Sequence, residues 1–185
     1  MKKLVLALTL SFALSAFAFA QEPEGWGVGV IGIGGDISAL RQAGGWDMGL
    51  TIKPEGIPVY FGVLFSGLNF TGGSYNVFDF GMGVTADFHF LRSNVGEFRG
   101  DAYLDFFVGV GGFFGFGFVS WDGSTSTSLS FGGRLPVGLS FVVPVSQNAV
   151  EVFAALVPSF GFGIIHSSSG IRGGVGSELG VRIWL

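Results

Sequence analysis

The stretch Phe78-Asp79-Phe80-Gly81-Met82-Gly83-Val84-Thr85-Ala86-Asp87-Phe88-His89-Phe90 decides the fold. Every even position is apolar, while the odd positions hold Asp, Gly, Gly, Thr, Asp and His. Successive side chains of an extended chain point to opposite sides. Thirteen residues of alternation therefore predict one long β-strand with an apolar face and a polar or glycine face. The next segment, residues 102–118, repeats the pattern. Ala102, Leu104, Phe106, Val108, Val110, Phe114, Phe116 and Phe118 share one side. Asp101, Tyr103, Asp105 and several glycines lie on the other, with Phe107 and Phe113 among them.

Six further segments extend the same reading outward: residues 26–34, 46–53, 59–70, 129–143, 150–165 and 171–185. The first and third carry apolar residues on both sides, so alternation leaves their phase open. In the sixth strand, Phe131, Leu135, Val137, Leu139, Phe141 and Val143 oppose Ser130, Arg134, Gly138 and Ser140. Short runs of turn formers separate the segments: residues 53–58, 71–76, 93–96, 122–124, 144–148 and 167–170. Tight connections between consecutive strands imply antiparallel hairpins. The expectation is an all-β, eight-stranded antiparallel up-and-down transmembrane β-barrel, with ten strands if the third or fifth segment splits. Residues 36–44 and 119–129 are expected to be the longest outer loops.

Composition says which face meets lipid. The chain of 185 residues has 34 Gly, 22 Phe and no Cys, and only 12% of it is charged. No disulfide framework, thiol nucleophile or cysteine zinc site is available. Beyond the leader Lys53 is the only lysine, whereas a water-facing surface is normally rich in Lys and Glu. A soluble barrel, with its apolar face inside, fits this composition poorly. Lipid outside and a narrow glycine-lined interior fit it well, and a closed barrel satisfies every backbone group, as a membrane requires. The net charge of -4 carries no basic footprint, so nucleic acid is not an expected partner.

The first 20 residues read as a cleavable secretory signal. Lys2 and Lys3 are followed by an apolar run from Leu4 to Phe17 and by the small-x-small site Ala18-Phe19-Ala20. The run is short for an uncleaved anchor. Residues 21–185 then form the barrel, with a net charge of about -6. Trp26 and Trp184 are expected at the inner rim, and Trp46 and Trp121 at the outer rim, as interfacial rings. At the end, Leu179, Val181, Ile183 and Leu185 alternate with Gly180, Arg182 and Trp184. This resembles the terminal-strand signal that outer-membrane barrels present to their assembly machinery, with Leu185 in place of the usual Phe.

Leader, strand count, short turns and terminal strand together resemble the small eight-stranded outer-membrane barrels of the OmpA transmembrane-domain and OmpX type. The resemblance spans residues 21–185, is architectural and rests on no residue-level motif. It implies a bacterial outer-membrane location and a monomer whose partners are outer-membrane lipid and the barrel-assembly machinery. It also implies a structural or surface-exposed role.

Alternation places Asp47, Asp79, Asp87, His89, Asp101, Asp105, Arg134, Glu151, Arg172, Glu178 and Arg182 in the lumen. Two readings follow. Either ion pairs plug the interior, or the excess of acids over arginines and the inward glycines make a narrow cation-preferring pore. Asp87 and His89 form the best metal pair, but two ligands do not make a site, so no metal or cofactor is expected. His166-Ser167-Ser168 with Glu178 is similar to the His-x-Ser…Glu arrangement of the lipid A 3-O-deacylases, which are also eight-stranded barrels. That resemblance implies Ser168 as nucleophile, His166 as base and Glu178 orienting it. Alternation argues against it, because His166 continues a lipid-facing set and Glu178 an inward one. No catalysis is expected.

Overall fold

The computed structural model describes residues 25–34, 47–66, 77–121, 124–165 and 168–185. The proposed leader therefore lies outside the described residues, as do the first outer loop (36–44), the connection at 71–76, Trp46 and His166. The described chain forms β1 (Gly27–Gly34), β2 (Asp47–Lys53), β3 (Val59–Ser66), β4 (Val77–Glu97) and β5 (Tyr103–Trp121). It continues as β6 (Ser124–Arg134), β7 (Val137–Val145), β8 (Asn148–Ile165) and β9 (Ser168–Trp184).

These nine segments build an eight-stranded closed barrel. Each pairs antiparallel with its sequence neighbour except β6 and β7, which lie end to end, and β9 returns to β1 to close the ring. Both β6 and β7 pair with β5 on one side and β8 on the other, so they are two halves of one strand. The interruption falls at Leu135-Pro136, where proline has no amide hydrogen to give to the ladder. Two backbone bonds bridge the gap: Gly109 N–H donates to Pro136 O (2.8 Å) and Leu135 N–H to Pro158 O (2.9 Å). Among the described residues, neither the third nor the fifth segment splits.

Alternation fixes the two faces. The apolar set points outward on every wall, with Phe61, Phe65, Phe114, Phe116, Phe131, Phe160 and Leu179 all exposed. The two open phases resolve the same way. Val28 and Val30 face out while Ile31 is buried; Phe61, Val63 and Phe65 face out while Tyr60 and Leu64 are buried. A single polar change on this face isolates its role. Phe114→Arg, at the middle of β5, is expected to destabilise the barrel in lipid by about 2–4 kcal/mol. Urea titration of the vesicle-inserted protein measures it; an unchanged midpoint would reverse the facing of β5.

The inner face is filled by rings laid on glycines. A methyl group at Gly180 would run into the Phe153 ring, one at Gly138 into Phe107, and one at Gly132 or Gly161 into Phe113. The inward glycines are seats for aromatic side chains from neighbouring strands. At these four positions the rings fill the space that the small residues would otherwise leave.

Several boundaries differ from the alternation reading. The turn expected at 93–96 is strand, and the chain reverses instead at 98–101, where Gly100 (φ 81°) and Asp101 (φ 62°) take left-handed conformations. Much of the loop expected at 119–129 is strand, because β5 and β6 continue to pair up to Trp121 and Ser124. Two register shifts in β4, between His89 and Leu91 and between Asn94 and Gly96, account for the added length. Each inserts one unpaired residue and exchanges the faces beyond it.

Candidate functional site: a closed polar lumen

The first of those shifts decides what occupies the lumen. Before it, inward Asp87 faces Gly111 and His89 faces Gly109. The extra residue, Phe90, moves even-numbered positions inside, so Arg92 sits opposite inward Phe107. Arg92 lies beyond the strand predicted to end at Phe90 and shares the even parity of its apolar face, yet it is 1% exposed. The available signal was the adjacent apolar pair Phe90-Leu91, which breaks the period of two.

Arg92 organises the end of the lumen nearer the short turns. Its Nε donates to Asp105 Oδ2 (2.7 Å), its Nη1 to Tyr60 Oη (3.1 Å), and its Nη2 to Ser140 Oγ (3.0 Å) and Glu151 Oε1 (3.1 Å). Glu151 is the common acceptor. Ser140 Oγ donates to its Oε1 (2.5 Å), while Arg182 Nη1 (2.5 Å) and Trp184 Nε1 (2.9 Å) donate to its Oε2. Strands β3, β4, β5, β7, β8 and β9 are thus tied through one carboxylate and one guanidinium. Arg182 also reaches Thr51 Oγ1 on β2 (3.4 Å). Charged groups in so dry a place need this many partners, because desolvation costs several kcal/mol per ion.

A second cluster lies farther from the turns. Arg134 stands between two carboxylates, with its Nε 3.0 Å from Asp87 Oδ1 and its Nη2 donating to Glu178 Oε1. Flat groups stack across the lumen. Phe107 stacks on His89 (centroids 4.6 Å) and His89 on Tyr60 (4.1 Å). The Arg182 guanidinium follows, 4.5 Å from the Tyr60 ring and 4.7 Å from Phe153. Favourable ring–ring and cation–ring contacts thus run from β5 to β8.

The structure therefore brings Asp87, His89, Asp105, Arg134, Glu151, Glu178 and Arg182 into one interior, and adds Arg92, Tyr60, Ser140 and Trp184. Asp101 is a correction: it is exposed in the left-handed turn and takes no part in the lumen. Trp184 is another. Its ring is 1% exposed and points inward to Glu151, so it is no interfacial anchor; Trp26, 49% exposed, does face outward. The side chains of Asp47, Asp79, Trp121, Ser168 and Arg172 lie outside the described residues. Glu178, assigned by the deacylase resemblance to orient His166, is held by Arg134.

The charge balance also changes. Buried among the described residues are the acids Asp87, Asp105, Glu151 and Glu178, and the bases Lys53, Arg92, Arg134 and Arg182. Four stand against four. The acidic excess expected from alternation counts exposed Asp101 and leaves out Arg92 and Lys53; it also counts Asp47, Asp79 and Arg172, whose side chains lie outside the described residues. Among the described residues no group of three or more His, Cys, Asp or Glu could hold a metal ion.

No protein family model matches this sequence, and no curated protein does. Among solved structures the chain is similar to Neisserial surface protein A. The two are 18% identical, the match covers 86% of this chain and 96% of that one, and the TM-score is 0.47.

Proposed function

We propose that this protein is an integral barrel of a bacterial outer membrane with a sealed lumen and a structural or surface-exposed role, neither catalytic nor conducting. One observation carries the reading: the molecule is inside out. Large apolar side chains are exposed around the whole wall, while Arg92, Arg134, Arg182 and their carboxylates are buried. Such a surface is costly in water and suited to hydrocarbon. The end with the short turns supports the placement. Trp26, Ile57, Phe98, Val145 and Leu185 are exposed there on strand ends and hairpins around the circumference, as an interfacial girdle requires. In this reading that end faces the periplasm and the protein is a monomer. Its partners are outer-membrane lipid and, through β9, the machinery that assembles barrels.

The sealed lumen separates this reading from a cation-preferring pore. A pore needs a continuous wet path and, for preference, an excess of one sign. The described lumen offers balanced charge and a stack of rings across its width. Purified protein in a planar bilayer is expected to give no stable conductance steps. Reproducible steps with cation preference, reduced by Asp87→Asn, would overturn the proposal in favour of the pore.

A further inference from the structure

We propose that the polar chamber between the two charge clusters is a built hydration site for one or two water molecules. The chamber, partly open, has a volume of about 20 Å³, and Thr51, Tyr60, Thr85, Asp87, His89 and Arg182 are among its walls. About 10–15 Å³ of such volume is enough for one water when two to four polar partners surround it. Partners are at hand. The buried atoms Asp87 Oδ1, His89 Nδ1 and Arg182 Nε make no hydrogen bond to protein, although Asp87 Oδ1 lies 3.0 Å from Arg134 Nε. Asp87 and Arg182 are both more than nine-tenths buried. Asp87, His89 and Arg182 thus line one small space with an acceptor, an imidazole nitrogen and a donor, a set that matches a molecule able both to donate and to accept. A metal ion matches less well, because the neighbouring carboxylates are already committed to guanidinium groups. An apolar guest would leave His89 Nδ1 and Arg182 Nε without a hydrogen-bond partner.

Gly62 leaves room for the Thr85 hydroxyl in the chamber wall. It lines the chamber, and a methyl group built on it would come 2.5 Å from Thr85 Oγ1. The site thus depends on a glycine that seats no ring, unlike Gly138 or Gly180. The water would complete the hydrogen bonding of Asp87 and Arg182 and join the Arg134 cluster to the Glu151 cluster.

The test uses the isotope-labelled full barrel in lipid nanodiscs and water-selective cross-relaxation to side chains of the chamber. In the wild type, long-lived water is expected to give cross-peaks at Thr85 and His89. Gly62→Ala, which crowds the Thr85 hydroxyl in the chamber wall, should abolish them, and Thr85→Val, which keeps the shape but removes a hydroxyl, should weaken them. Absence of cross-peaks in the wild type overturns the proposal. So do cross-peaks unchanged in Thr85→Val, which remains informative if Gly62→Ala does not insert.

Discussion

Glu151→Ala is expected to destabilise the barrel more than any other single truncation in the lumen, by about 3–5 kcal/mol. The glutamate accepts from Arg92, Ser140, Arg182 and Trp184, four donors on three other strands. Removing it leaves two guanidinium groups facing each other across a dry interior, with only Asp105 still opposing Arg92. The loss is mainly the cost of that uncompensated charge, and much less the worth of any one bond. Glu151→Gln separates the two effects. It keeps an acceptor oxygen and the shape but removes the charge, so it should fall between wild type and Glu151→Ala. Urea unfolding in lipid vesicles, followed by tryptophan fluorescence, measures both. A Glu151→Ala midpoint within error of wild type would show that the network contributes nothing to the fold.

Arg134→Met should come close behind, again at about 3–5 kcal/mol. It leaves Asp87 and Glu178 as neighbouring buried carboxylates with their shared cation gone. Recovery is the discriminating measurement. Adding Asp87→Asn and Glu178→Gln to Arg134→Met removes the unbalanced charges and should restore most of the lost stability. A buried ion cluster replaced as a whole is often neutral, whereas breaking it is not. If the triple variant is as unstable as Arg134→Met, packing around Arg134 matters more than its charge.

The sequence made the wall legible because the membrane imposes one simple demand. An outward residue must be apolar, so Phe78 to Phe90 and Leu179 to Leu185 advertise their facing directly. The interior obeys no such rule. It needs balanced charge and filled volume, and it meets both with pairs distant in the chain. Arg92 was missed because a single bulged residue reverses the phase after Phe90, and alternation carries no memory of an insertion. Trp184 was misplaced because an indole ring suits a lipid interface and a buried acceptor equally well. Its partner Glu151 lies 33 positions away. The glycines misled for the same reason. A run of small residues reads as empty space until Phe107, Phe113 and Phe153 are seen to lie across them.

The ring closes where the two ends of the described chain meet. Trp26 N–H donates to Leu185 O (3.1 Å) and Leu185 N–H donates back to Trp26 O (2.9 Å). This is a reciprocal pair of the kind that joins any two strands elsewhere in the wall. The seam between β9 and β1 is thus chemically indistinguishable from the seams inside the hairpins. The cylinder has no privileged first strand. Linking residue 185 to residue 26 through a short added turn and opening the chain at the Gly56 turn would give a circularly permuted protein with the same wall, register and lumen. What the native order contributes is the sequence in which strands become available for pairing, a kinetic property that the finished cylinder no longer records.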